Sequence, residues 1–429
     1  MPPTVQGMRT RAIHGGVVPR RNRGATTVPL YYSSSFAFER AEDLAAAFEG
    51  RHPGWIYSRI SNPTVQAFEQ RVAALEGGGS SLATASGMAA IQALFYALTD
   101  AGSEVVFSRS LFGGTVLFLR DIASRAGVRV TFVDLDDASA LEAALSRRPR
   151  LVFFETVGNP RLDIPPIERI VATANAYGVP SVIDATLCSP ALFTANDYGA
   201  AAVIHSATKL MTGNGTAVGG VITDLGSFDW SGHQSPAISR ELERVGNSLA
   251  LAAALRRHAA LSAGLVMSPF NAFLSMIGLE TLPLRADAHC RNALALARFL
   301  CEHPRVESVR YPGLPGDPYH DRCLRYFHGG CGSLLTFGLA DREAAFSFMN
   351  RLQLALRATN LGDAKTLVIH PASTIFHDCS EEERAWSGVT QGLIRVSVGL
   401  EDVEDIIADF DQALSGADKQ GGGENAVYR

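Results

Sequence analysis

The sequence predicts an α/β protein: a large domain with a mostly parallel, seven-stranded sheet, then a smaller C-terminal α+β domain. Three observations predict it. Short apolar runs alternate with helical patterns from about Ser80 to Asp224, the rhythm of a parallel sheet with helices on its faces. Several runs are apolar at nearly every position, as strands covered on both sides are. After about Phe270 the alternation gives way to long helical patterns mixed with isolated strands.

The strand candidates of the large domain are Ser81–Thr84, Glu104–Ser108, Arg129–Val133, Leu151–Glu155, Ser181–Asp184, Ala202–His205 and Gly219–Thr223. Between them Gly87–Leu98, Thr115–Ala126, Ser139–Ser146 and Pro166–Tyr177 read as helices. In the smaller domain a single long helix is expected over Ala272–Cys301, stopped by Glu302-His303-Pro304. Strands follow at Val306–Tyr311, Ser333–Phe337 and Ile394–Val398, with helices at Arg342–Leu352 and Val403–Leu414. The first sixty residues have few periodic segments and are expected to wrap around something else, and the glycine-rich stretch after Lys419 is expected to be flexible.

Composition narrows the function. With 429 residues, 47% hydrophobic and 19% charged, the chain has enough apolar material for two cores. A net charge of −5 without a long basic run argues against nucleic-acid binding. No apolar stretch is long enough to cross a membrane. The arginines at 9, 11, 20, 21 and 23 accompany no apolar targeting core, so a mobile arm or a subunit contact is expected. Six scattered cysteines without a CxxC pair suggest reduced thiols in a cytoplasmic protein. His370, His377, Asp378 and Cys379 lack metal-site spacing, and no metal is expected.

The chemistry gathers around Lys209. Val203-Ile204-His205 reads as a buried strand that hands over to Ser206-Ala207-Thr208-Lys209, two hydroxyls and a primary amine. Asp184 ends a similar strand. Ala85-Ser86-Gly87-Met88 sits where a strand meets a helix, and backbone amides there attract an anion. A phosphate clamp, an amine that forms a Schiff base and a carboxylate for a pyridinium nitrogen are what pyridoxal phosphate requires of a protein. Ligands of open α/β sheets bind at that edge.

These segments resemble the Cys/Met-metabolism family of pyridoxal-phosphate enzymes, over nearly the whole chain. Tyr57-Ser58-Arg59 resembles the segment whose Tyr and Arg hold the cofactor phosphate of a neighbouring subunit. Ser86, Gly87, Met88, Ser206 and Thr208 match phosphate ligands. Asn159, in Glu155-Thr156-Val157-Gly158-Asn159-Pro160, matches the contact to the phenolic oxygen. Asp184 and Lys209 match the pyridinium partner and the Schiff-base lysine, and Arg395 the arginine that grips the substrate carboxylate. The resemblance implies the fold type I of pyridoxal-phosphate enzymes, aspartate-aminotransferase-like. It divides the chain into an N-terminal arm reaching a neighbour (1–62), the cofactor domain (63–270), the C-terminal domain (271–415) and a tail (416–429). It also implies a homo-oligomer, a dimer of dimers. Gly362-Asp363-Ala364-Lys365 and Met267-Ser268-Pro269-Phe270, among other segments, resemble O-acetylhomoserine sulfhydrylases in particular.

Three positions depart from the family pattern. Phe112 stands where a tyrosine usually stacks on the cofactor, so the stacking face stays and the titratable hydroxyl goes. Ala185 and Asn214 replace a common asparagine and histidine. Without the phenol, Lys209 carries the proton traffic by itself, which favours a γ-substituent that departs without much acid help. The expected activity is therefore γ-replacement on an O-acetyl- or O-succinyl-homoserine with sulfide or a thiol. The alternative is a γ-lyase acting on methionine, canavanine or a similar amino acid.

Overall fold

The computed structural model describes residues 7–51 and 54–416, so the glycine-rich tail lies outside the described residues. Among the described residues twelve strands form two sheets. The large sheet takes β1 (Ser80–Thr84), β2 (Glu104–Ser108), β3 (Arg129–Val133), β4 (Val152–Glu155), β5 (Ser181–Asp184), β6 (Ala202–His205) and β7 (Gly220–Asp224). Their order is β1-β7-β6-β5-β4-β2-β3, and β7 alone runs against its neighbours. All seven expected strands are present, within a residue of their expected bounds.

The apolar runs are apolar because the sheet is covered twice. Phe154, Ile183 and Val203 pack on one face with Ile167 and Ile170 of the helix Ile167–Ala176. Phe153, Val182 and Ile204 pack on the other with Ile91, Leu94 and Leu98 of the helix Gly87–Leu98. Neighbours in sequence thus enter opposite cores, as a period of two demands. The parallel strands end together, and their C-terminal edge carries the site.

The smaller sheet comprises β8 (Ser308–Arg310), β9 (Leu334–Gly338), β10 (Leu356–Arg357), β11 (Leu367–Ile369) and β12 (Leu393–Ser397), in the order β10-β11-β12-β9-β8. Leu335, Phe337, Ile394 and Val396 fill its core with Leu296, Leu300, Phe348 and Phe410. The two short strands β10 and β11 were not expected: two and three residues carry too little pattern to stand out.

Three expectations need correction. The long helix breaks at Thr281 into Pro269–Glu280 and Leu282–Glu302, with Pro283 in the first turn of the second, where its missing N–H costs nothing. The arginine-rich start is not wholly a free arm: Met8–His14 is a helix whose Ala12 is fully buried against its own chain, and fully buried Arg71 donates to the carbonyls of Ile13 and Gly15. The cysteines are not all free thiols. Cys323 and Cys331 form a disulfide, because the chain doubles back through Gly329 and Gly330 and brings their Cα atoms to 5.9 Å. No helix among the described residues is long and apolar enough to cross a membrane.

Candidate active site

A cavity of about 410 Å³ opens at the C-terminal edge of the large sheet, where the smaller domain leans over it. Ten of the twelve expected residues line it. Ser86, Gly87 and Met88 start the helix Gly87–Leu98, and the Ser86 hydroxyl accepts the Ala89 N–H at 3.1 Å. The amides of Gly87 and Met88, in the first turn, have no carbonyl of their own helix to bond. Ser206 and Thr208 follow β6 alongside. A Cβ on Gly87 would stand 2.8 Å from that of Ser206, and one on Gly220 2.1 Å from the Ser86 carbonyl oxygen. Only glycine leaves this cradle open, and its donors suit a phosphate.

Asp184 closes β5, in register with Glu155 on β4. Its Oδ1 accepts the Thr186 N–H at 2.9 Å. Burial raises its carboxyl above the ordinary range, and a cationic ring nitrogen set against it would draw it back to the anion. Glu155 lies beside it, raised further by burial and by Asp184, while the Phe112 N–H donates to its Oε1 at 2.6 Å.

Phe112 begins the short helix Gly113–Phe118. A Cβ on Gly114 would meet its ring at 2.6 Å, and one on Gly113 would meet the Ile375 carbonyl at 3.0 Å, so the glycine pair lets ring and overhanging loop approach. Among the family positions this phenyl is the departure with a direct place in the cavity wall; Asn214 does not line the cavity and instead accepts from Thr216 at 2.6 Å.

Lys209 donates to Asn360 Oδ1 at 2.6 Å. Burial, helped by the Arg395 charge, lowers its amine from 10.5 to about 8. Arg395 of β12 is buried; it donates to Asn159 Oδ1 at 3.2 Å and to the Asn360 carbonyl at 3.0 Å, while its Nε has no partner. A buried donor without an acceptor is costly, and a carboxylate arriving from the cavity would satisfy it.

Tyr57 and Arg59 do not join the cavity of their own chain. Arg59 donates to the Leu261 carbonyl and lies over the Tyr57 ring, 5.6 Å from its centre. Sequence reasoning missed Asn360 and the carboxyl of Glu155. Glu155 begins the segment Glu155–Pro160, where nothing in the spacing singles out its carboxyl, and Asn360 stands two residues before Gly362-Asp363.

The sequence profile of the Cys/Met metabolism PLP-dependent enzymes matches residues 9–415. The chain belongs to this family. Among its relatives, the O-acetyl-L-homoserine sulfhydrylase 1 of Thermus thermophilus is 39% identical over 95% of this chain and 99% of its own. The L-methionine gamma-lyase of Pseudomonas putida is 39% identical over 95% and 97%. A solved structure from Campylobacter jejuni, assigned as an O-acetylhomoserine (thiol)-lyase and carrying N'-pyridoxyl-lysine-5'-monophosphate, superposes with a TM-score of 0.87 at 34% identity, covering 96% of this chain and all of that one. This Cys/Met-metabolism enzyme is thus pyridoxal-phosphate-dependent, and the open cradle and the unpartnered Arg395 Nε fit that group and an amino-acid substrate beside it.

Proposed function

We propose that this enzyme replaces the γ-substituent of an activated homoserine ester, O-acetyl- or O-succinyl-homoserine, with sulfide or a thiol. Sulfide would give homocysteine. The observation that carries the reading is Phe112: the cavity wall offers a phenyl where a poor leaving group would want a proton donor. A carboxylate ester group departs without one.

Bound pyridoxal phosphate supplies the electron sink that makes protons on the substrate's carbons removable. The chain itself binds, orients and moves protons. Ser86, Gly87, Met88, Ser206 and Thr208 would hold the phosphate, Asp184 the ring nitrogen and Asn159 the phenolic oxygen. Arg395 would take the substrate carboxylate through its free Nε and the Nη donors now on Asn159 and Asn360. Lys209, its amine near 8, is free base often enough at neutral pH to take the proton from Cα and to move a second at Cβ.

A γ-lyase reading keeps support from the likeness to a methionine gamma-lyase. A panel of purified enzyme with O-acetylhomoserine plus sulfide, and with each γ-substituted amino acid alone, separates the two. Homocysteine from the ester is the expected result; ammonia and 2-oxoacid release without added nucleophile would sink the replacement reading. Tyr57, 41% exposed, and Arg59 lie away from their own cavity, which supports a homo-oligomer in which they complete a neighbour's phosphate site; the dimer of dimers rests on the family resemblance. The four unpaired cysteines favour a cytoplasmic setting, against the single Cys323–Cys331 pair.

A further inference from the structure

Asn360 belongs to the smaller domain yet touches the amine of the larger one. It stands in the loop between β10 and β11, and that loop is held firmly. Gly362, at φ +64°, donates its N–H to Ser397 Oγ at 2.9 Å, and a Cβ there would lie 2.7 Å from Leu210 Cγ. The residue after Lys209 is thus packed directly against the residue two after Asn360. Asn360 is fixed a second time by its own carbonyl, which accepts from Arg395. Its side-chain oxygen is left to meet Lys209 Nζ.

We propose that Asn360 is the dock of the free Lys209 amine: it holds the lysine in place whenever the substrate's amine has displaced it, and so positions it to carry protons. The inference rests on the cofactor and proton roles argued above, and adds the residue that aims the base. Each transfer is balanced, one proton taken from carbon by the neutral amine and one returned by the ammonium.

The chemistry of the dock is specific. The titratable and charged groups that share the cavity with Lys209 are Arg395 from β12, Asp184 from β5 and Glu155 from β4. Of these, Arg395 acts on the amine and lowers it. A neutral amide oxygen accepts from either protonation state of the lysine without adding charge. A carboxylate at the same place would favour the ammonium and take the base away. Because the Asn360 carbonyl shares Arg395 with the incoming substrate carboxylate, the dock also ties substrate capture to the position of the base.

Two measurements test this. On the full-length chain freed of cofactor, pH-dependent labelling of Lys209 read by mass spectrometry should show a midpoint near 8. Asn360→Asp should move that midpoint up by about one unit or more. On the holoenzyme, exchange of the Cα proton of L-alanine with solvent deuterium should slow about tenfold or more in Asn360→Ala, and recover partially in Asn360→Ser, which restores an oxygen. An unmoved midpoint in Asn360→Asp, or parental exchange in a cofactor-loaded Asn360→Ala, would overturn the dock. Parental enzyme that exchanges the Cα proton yet converts no homoserine ester would instead sink the substrate reading and leave the dock standing.

Discussion

Glu155 and Asp184 stand at paired positions on β4 and β5, two carboxyl groups side by side at one wall of one cavity. Burial raises each of them, and Asp184 raises Glu155 as well, so both carboxyls hold a proton more readily than an ordinary one. Asp184 is held toward its anion by the Thr186 N–H, and Glu155 accepts the Phe112 N–H. Glu155→Gln keeps an acceptor for the Phe112 N–H, and its cofactor affinity should stay within about threefold. Asp184→Asn removes the charge opposite a ring cation and should weaken affinity about ten- to hundredfold. Absorbance titration of cofactor-free protein with pyridoxal phosphate compares the two.

Lys209→Ala should abolish the borohydride-bleached visible band of the holoenzyme and lower turnover by about 10²–10⁴. In the parent, capture of the cofactor aldehyde requires the neutral amine. The rate should rise with pH around a midpoint near 8, well below an ordinary lysine. A rate still climbing steeply at pH 10 would contradict the buried, Arg395-lowered amine.

Phe112→Tyr restores a phenol to the cavity wall. Breakdown of substrates with poor leaving groups, methionine first, should increase about tenfold or more, while turnover of O-acetylhomoserine changes little. Paired steady-state assays on both substrates read the shift. Equal gains on both would break the link between Phe112 and leaving-group choice.

Arg395→Lys keeps a charge and loses the planar fork. The expected effect is a rise in KM for the amino-acid substrate of about ten- to hundredfold, with the cofactor band intact. Loss of the band instead would place Arg395 on the cofactor side through Asn159, to which it also donates.

Away from the site, His289 is buried and its ring is lowered to about 4, by desolvation above all. The unfolded chain binds the proton more readily between 4 and 6.5, so stability present above 6.5 is lost as pH falls toward 4. At pH 5 this one ring costs about 2 kcal/mol relative to pH 7.5. His289→Gln should narrow the drop in unfolding free energy between those pH values by about that amount, whatever its stability at pH 7.5. Denaturant melts at both pH values decide it.

Much of this was legible in the sequence because the relevant physics is local. Phe153-Phe154 and Val182-Ile183 announce a sheet covered on both sides, and Ser206 to Lys209 follow such a strand directly. What was missed depends on meetings between distant segments. Cys323 and Cys331 pair only because a glycine turn folds them together. Asn360 is an ordinary loop residue until the smaller sheet carries it 151 positions back to Lys209. The break at Thr281 was hidden because both flanking segments keep a helical pattern, and Pro283 inside that pattern was the overlooked mark.

The glycines of the cradle make the cavity unequal in what it tolerates. On the side of Gly87 and Gly220 even one methyl group collides with Ser206 or with the Ser86 backbone, and those atoms are anchored at the ends of the paired strands β1, β7 and β6. That wall is closed to variation. Ile375, in the turn that follows β11, also lines the cavity and belongs to neither sheet. New substrate preferences, whether reached by natural divergence or by redesign, therefore have one direction in which to grow.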